Sequence, residues 1–351
     1  MTATARTATT ENTPQITASY PVTMTAALHR SFGDARSSVE IASAPIPSPG
    51  PTQVLVKVEA AGIAIGDWLT MQGLPYIARP AYGLARPKLP VLGNEVAGTV
   101  VAVGDQVSSG ADAFVPGDRV LGFAQGAFAQ YAVTEAAHLV RTPDALGTVD
   151  AAAIPVSGLT AYRAVVEESG AKAGERVLVL GASGAVGTFA VQIAKAHGMH
   201  VTAVASARNA DLVARLGADQ VVDYAAQDIE DMGQSWDAVI DLAGNRPVRS
   251  LRRLLTARGT AVIVGGNGGR VTMGFSRTIR AMLLNPFVKQ RLTMLVAGSS
   301  QAGLAAVRDM VASGAVIPVI DRTFPLSRFA DAMEHIGSRH TQGKSVIVVD
   351  G

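Results

Sequence analysis

Glu175 to Gly198, ERVLVLGASGAVGTFAVQIAKAHG, decides the fold. Val177 to Leu180 is an unbroken apolar run, too continuous for a half-exposed strand, and reads as a parallel strand buried on both faces. Gly181-Ala182-Ser183-Gly184-Ala185-Val186-Gly187 follows as a Gly-rich turn. Val186, Phe189, Ala190, Ile193 and Ala194 then recur at helical spacing, and His197-Gly198 is a stop signal. Strand, glycine turn and helix open a dinucleotide-binding unit. Gly184 would let the backbone approach a pyrophosphate, Gly187 would let the helix pack close to the sheet, and the amides at Ala185 and Val186 would face phosphate oxygens. The strict fingerprint has a further glycine where Ala182 stands, so the flanking strand and helix carry the reading.

The composition of the 351 residues, 48% apolar and 17% charged, allows a large core and excludes global disorder. Cysteine is absent, which removes disulfides, thiolate metal ligands and thiol nucleophiles and fits an intracellular, cytoplasmic protein. A net charge of +2 carries no nucleic-acid argument. Arg249, Arg252, Arg253 and Arg258, and later Arg270, Arg277, Arg280 and Arg291, read as solvated faces. No apolar run is long enough to span a membrane. Residues 1–22, rich in Thr and Ala, read as a disordered extension, with Met24 as an alternative start.

From residue 23 to about 143 the pattern is β-rich, with strands at Val54–Ala60, Gly93–Gly104 and Ala127–Val133 and a long loop from Gly73 to Pro90 carrying Tyr76 and Tyr82. Strand and helix periods alternate over 144–295, as βαβ units require. Strands are expected at Val177–Leu180, Val201–Ala205, Gln220–Tyr224, Trp236–Asp241 and Ala261–Gly265. Over 296–351 come a helix, the strand Ile317–Asp321, a second helix and the strand Ser345–Val349, read as a return to the first domain.

An NAD enzyme places Asp or Glu at the end of the second strand, roughly 20 residues past the glycine turn, for the ribose hydroxyls. Here that strand ends Ala205-Ser206-Ala207-Arg208. A hydroxyl and a guanidinium suit a 2′-phosphate, so NADP(H) is the expected cofactor. Ala243-Gly244 and Gly265-Gly266 end the fourth and fifth strands, where ligands bind in open α/β sheets; tight-turn geometry alone is the other reading of those glycines.

Several motifs, in order, make the chain resemble the zinc-free, quinone oxidoreductase-like branch of the medium-chain dehydrogenase/reductase family. They are Gly93-x-Glu95-x-Ala97-Gly98, Val115-Pro116-Gly117-Asp118-Arg119-Val120, Ala127-Phe128-Ala129-x-Tyr131, Ser157-Gly158-Leu159-Thr160-Ala161-Tyr162, the glycine turn, Leu216-Gly217-Ala218-Asp219 and Gly343-Lys344. The resemblance implies a GroES-like β-rich catalytic domain built from both chain ends, a Rossmann-type doubly wound parallel-sheet domain between them, an active cleft at their junction and a homodimer. It places Ser157 and Thr160 near the nicotinamide, Tyr224 near the 2′-phosphate, and Lys344 in a cofactor or structural role. Zinc-dependent relatives carry histidine where Asn94 stands, and none of the six histidines is paired at ligand spacing, so no metal is expected. Conjugated enones and quinones accept hydride without a Lewis acid, which makes a quinone, enone or related carbonyl compound the expected small-molecule substrate. A zinc-free alcohol or aldehyde dehydrogenase and a non-catalytic NADPH-binding sensor stay open. Ala64 stands where the family often has Asn. Asp67 is retained, to order the loop or to handle a proton; Tyr76 or Tyr82 could donate to a carbonyl, and water is the other proton source.

Overall fold

A computed structural model describes residues 20–107, 113–266, 269–295 and 298–350. Residues 1–19 of the expected disordered extension lie outside the described residues. An antiparallel pair comes first, β1 (Thr23–His29) on β2 (Val39–Pro45). β3 (Gln53–Ile63), β4 (Glu95–Val103), β5 (Arg119–Phe123), β6 (Tyr131–Glu135) and β7 (Leu139–Arg141) follow. The middle of the chain supplies β8 (Arg176–Leu180), β9 (His200–Ala205), β10 (Gln220–Asp223), β11 (Trp236–Asp241), β12 (Leu255–Ile263) and β13 (Arg291–Met294). β14 (Ile320–Pro325) and β15 (Lys344–Val348) close it.

The six middle strands form one sheet in the order β10-β9-β8-β11-β12-β13, parallel throughout. With β8 central and the order reversing beside it, this is the doubly wound Rossmann arrangement. The apolar run of β8 is buried on both faces because its side chains alternate between two cores. Val177 and Val179 join one, Leu178 and Leu180 the other, and Ala238 and Val239 of β11 divide in the same way. At about 1.5–3 kcal/mol for each large apolar side chain removed from water, this double burial dominates the strand's contribution to stability.

The second sheet has seven strands: β14-β15-β3-β4-β5-β7 in order, with β6 paired to β3. It is the GroES-like β domain, and the last strand of the chain is inserted in it, between the edge strand β14 and β3. Two short helices, Thr148–Ala153 and Pro155–Tyr162, join the domains. Their alanines permit close approach: Ala151, Ala152 and Ile154 pack with Ala60, Ala97 and Val346 of the β domain in a core that continues into the Rossmann sheet.

Some element boundaries differ from the sequence reading. β12 starts at Leu255, not Ala261, and β14 runs from Ile320 to Pro325, not from Ile317. β13 was not expected at all. The Gly73–Pro90 loop contains two short helical turns, Tyr76–Ala78 and Arg79–Tyr82.

Candidate active site

The glycine turn leaves the carboxyl end of β8 and enters the helix Ala185–Ala196, with Gly184 as its N-cap. Two of its glycines answer different demands. A Cβ on Gly187 would lie 2.3 Å from the Gly181 carbonyl oxygen, so close helix–sheet packing requires glycine there. A Cβ on Gly184 would meet nothing nearer than 3.7 Å. That open space faces a cavity of about 830 Å³ between the two sheets, lined by Gly184, Ala185 and Val186 among others. The first-turn amides of a helix lack intrahelical partners and carry the positive end of its dipole, so this wall fits a pyrophosphate.

At the end of β9, Ser206 is half-buried and Arg208 exposed. The Tyr224 amide donates to the Ala205 carbonyl at 3.3 Å, which brings Tyr224, 62% exposed, beside them. Arg208 also reaches the His340 carbonyl at 3.5 Å. Ser206, Arg208 and Tyr224 therefore share one corner of the sheet with Asp223, which pairs with Ala205; the hydroxyl, guanidinium and phenol are donors of the kind that suit a phosphate on the adenosine ribose.

The loops after β11 and β12 lie against each other. A Cβ on Gly244 would fall 2.7 Å from the Gly265 carbonyl, and one on Gly265 would fall 2.3 Å from the Leu242 carbonyl oxygen. Ala243 and Gly266 are exposed beside these contacts. Arg277 clamps the pair. Its guanidinium donates to the Asp241 carboxylate and to the carbonyls of Arg246 and Gly265, each at 2.7 Å. Its side chain is only 12% exposed, so the expectation of a solvated arginine fails at this position. The loop geometry encloses it, and Asp241, fully buried, supplies the countercharge. Burial holds the Asp241 carboxyl above the usual carboxylate range even with Arg277 and the Gly244 amide acting against it.

The opposite wall belongs to the β domain. Asp67 begins the helix Ile65–Gln72 and is buried. Its carboxylate accepts the Ala64 amide at 2.8 Å and the Asn94 side-chain amide at 2.8 Å. Burial raises its pKa to about 6; the Glu95 charge adds to that, while the Ala64 amide, Lys344 and Asn94 oppose it. Asp67, Asn94, Ser157 and Thr160 all line the cavity. Behind them Glu95 of β4 and Lys344 of β15, both fully buried, form an ion pair that reaches across the intervening strand β3. The Val156 amide donates to Glu95 at 3.0 Å, and Lys344 donates to Ser157 Oγ at 3.3 Å. Burial pushes the Glu95 carboxyl up, and Lys344 offsets part of that.

Tyr76 and Tyr82 are not among the cavity's lining residues. Tyr76 instead joins the domains: its amide donates to the Arg270 carbonyl at 2.9 Å, and its ring lies 5.7 Å from the Arg270 guanidinium. The Tyr82 carbonyl accepts the Lys88 amide within its own loop. Lys344 does not line the cavity either; it touches the site through Ser157. The sequence reading missed Glu95 as a partner of Lys344 and Arg277 as a clamp. The pairing of a buried Lys with a buried Glu is invisible in a one-dimensional pattern, although the family motifs already contained both residues.

Among the described residues no three His, Asp or Glu side chains lie together as a metal would require, and the chain has no cysteine. A zinc ion does not fit this donor set. No helix among the described residues is long and apolar enough to cross a membrane.

Residues 50–144 match the alcohol dehydrogenase GroES-like domain, and residues 216–347 match the family described as zinc-binding dehydrogenase. The chain is 32% identical to a chloroplastic quinone-oxidoreductase of Triphysaria versicolor, over 92% of this chain and 98% of the relative. It is 33% identical to a quinone oxidoreductase of Mus musculus, over 87% and 91%. The quinone oxidoreductase structure from Coxiella burnetii superposes with a TM-score of 0.80 at 28% identity, covering 93% of this chain and 100% of that one. A mycobacterial protein complexed with NADPH does so with a TM-score of 0.76 at 28% identity, covering 93% and 99%. With the donor set for zinc missing and the likeness running nearly end to end, the chain belongs to the zinc-free, quinone oxidoreductase-like branch of the medium-chain dehydrogenase/reductase family, a family of nicotinamide-dinucleotide oxidoreductases.

Proposed function

We propose that the protein reduces a quinone, enone or related conjugated carbonyl compound with NADPH. The carrying observation is the interdomain cavity of about 830 Å³, walled by a glycine cradle on one side and by hydroxyl, amide and apolar groups on the other, with Asp67, Arg163 and Arg339 also in its lining. When bound, NADPH would supply the hydride; the chain's residues bind, orient and exclude water. The amides of Ala185 and Val186 hold the pyrophosphate. Ser206, Arg208 and Tyr224 hold the 2′-phosphate. Thr160 and Ser157 face the nicotinamide end, and Phe123, Val156, Leu159 and Leu295 keep that end dry. Asp67 already accepts two N–H groups, so it orders the Ala64 turn, and water supplies the proton. An electrophile that needs no Lewis acid matches a site without metal donors.

Arg208→Ala tests the cofactor choice. Losing one charge-assisted contact of about 1.5–3 kcal/mol raises the NADPH Michaelis constant about 10- to 100-fold and leaves NADH kinetics unchanged. Equal effects on both cofactors would refute the assignment.

The same reading includes a cytoplasmic homodimer. A chain without cysteine suits a reducing compartment. Met282, Leu283 and Phe287 stand exposed beside β13, the edge strand of the Rossmann sheet, where a second copy would cover them. Sedimentation velocity that finds only monomer at micromolar concentration would remove the dimer.

A further inference from the structure

We propose that Lys344, held in place by Glu95, makes the Ser157 hydroxyl a hydrogen-bond donor to the substrate's carbonyl oxygen; the proposal rests on the hydride-transfer reading above. The polarity of one contact carries it. In the ion pair with Glu95, Lys344 is an ammonium and has only donors. At 3.3 Å from Ser157 Oγ it therefore donates, and the serine oxygen accepts. The serine keeps one proton of its own, which must point away from Lys344. Among the described residues that proton has no acceptor: Lys344 is the side chain's one partner. Ser157 is buried yet lines the cavity. A buried hydroxyl whose proton has no protein acceptor, in a residue that lines a ligand space, is a binding group.

The surroundings fix this donor before any substrate arrives. Glu95 is held from two sides, by Lys344 and by the Val156 amide, and Val156 is the chain neighbour of Ser157. Asn94, the neighbour of Glu95, donates to Asp67, so Ser157, Lys344, Glu95, Asn94 and Asp67 belong to one wall. The chain leaves room for the pair: a Cβ on Gly62 would fall 2.8 Å from Lys344 Cε and 2.9 Å from Glu95 Cδ. An ammonium behind the hydroxyl polarises it, which strengthens the bond it donates.

The chemistry places the need for a donor at that oxygen. Hydride adds to the conjugated carbon and forms a C–H bond. The displaced π electrons move along the conjugated system to the carbonyl oxygen, which becomes an enolate; the keto-enolate formed from a quinone reaches the hydroquinone by losing a proton from that carbon to water and gaining one on oxygen. The nicotinamide is oxidised and the substrate reduced. Ser157 keeps its proton and stabilises the anion by a hydrogen bond, and water protonates it afterwards. Lys344 and Glu95 touch neither substrate nor cofactor; they are positioning residues.

The test uses the full chain. Ser157→Ala lowers kcat on 1,4-naphthoquinone and 3-nonen-2-one about 10²-fold, with the NADPH dissociation constant within about twofold. Glu95→Gln with Lys344→Met removes both charges, keeps an acceptor for Val156, and folds, because an apolar or neutral replacement of a buried ion pair is close to neutral in stability. It lowers kcat by a similar factor, and adding Ser157→Ala to it costs nothing more, since the three residues act as one unit. A readout independent of turnover is 4-nitrophenol, bound in the presence of NADP⁺ and followed by the absorbance of its anion. Wild type favours the bound nitrophenolate, and Ser157→Ala weakens that binding about tenfold or more. Should the charge-free double variant not fold, Ser157→Ala alone decides through this signal. A double variant with unchanged kcat, an additive triple variant, or nitrophenolate held equally or not at all by wild type and Ser157→Ala overturns the proposal. Nitrophenolate discrimination without turnover of either substrate would instead reject the hydride-transfer reading and leave the donor assignment standing.

Discussion

Asp67→Asn separates the electrostatic cost of the substrate wall from its geometry. The Asp67 carboxyl is 1% exposed, and burial raises its pKa from 3.8 to about 6. The folded state thus holds this proton more tightly than the unfolded chain. Stability from this group is full below pH 3.8 and is lost as pH rises through about 6. At about 1.36 kcal/mol per pH unit the loss is about 3 kcal/mol. Asparagine does not titrate, so the difference in stability between wild type and variant should move by about 3 kcal/mol toward the variant between about pH 3 and pH 7. At the acidic end the two are matched in kind: protonated Asp and Asn each present a donor edge to one of the two N–H groups from Ala64 and Asn94. Guanidinium unfolding followed by tryptophan fluorescence measures it. The chain has two tryptophans, Trp68 next to the probe and Trp236 in the Rossmann sheet, so a Trp236→Phe background in both proteins isolates the domain of interest. A stability difference that stays flat, or moves toward wild type as pH rises, would refute burial as the dominant influence on Asp67.

The glycine turn makes a paired prediction. Gly187→Ala places a methyl 2.3 Å from backbone oxygen and should lower the unfolding midpoint sharply or prevent folding. Gly184→Ala has open space and φ −77°, so it should unfold like wild type while its NADPH dissociation constant, read by nicotinamide fluorescence, rises tenfold or more. Arg277→Met strands the buried Asp241 carboxylate and should cost about 3–5 kcal/mol in denaturant unfolding. Adding Asp241→Asn should recover part of that; a double variant no more stable than the single would show that the charge is not the cause.

The sequence exposed those parts of the fold whose burial follows a period. β8 and β11 read correctly because Val177–Leu180 and Ala238–Ile240 alternate between two cores, so those runs are apolar without a break. β13 escaped notice because Arg291-Leu292-Thr293-Met294 is an edge strand with one buried side chain. Its pairing to β12, not its composition, makes it a strand. The same distinction divides the site. The backbone cradle at Gly184 is written in local glycine spacing. Arg277 looked solvated because what buries it is Asp241, 36 residues away. Lys344 meets Glu95 across 249 residues, a distance over which neither periodicity nor spacing carries information. Tyr76 and Tyr82 attracted attention as phenols in a long loop, yet the loop's helical turns direct Tyr76 onto Arg270 and not into the cavity.

Those long-range contacts explain why glycine and lysine stand side by side at 343 and 344. Gly343 has φ +91°, and a Cβ there would lie 2.3 Å from the Val319 carbonyl oxygen. This conformation lets its amide donate to the Ser183 carbonyl at 2.9 Å and form a bridge to Gly184. Gln342 extends the contact through Asn209 to Ser183. The next residue, Lys344, sends its side chain the other way, to Glu95 and Ser157. One dipeptide thus fastens the Gly184 turn with its backbone and the Glu95–Ser157 side of the cavity with its ammonium. Hydride transfer requires donor and acceptor carbons at about 3–3.5 Å, a spacing that independent drift of the two domains would destroy. Any opening of the cleft must either break the Gly343 bridge or pivot about it. A pivot about it would hold the Gly184 turn and the Ser157 wall in register.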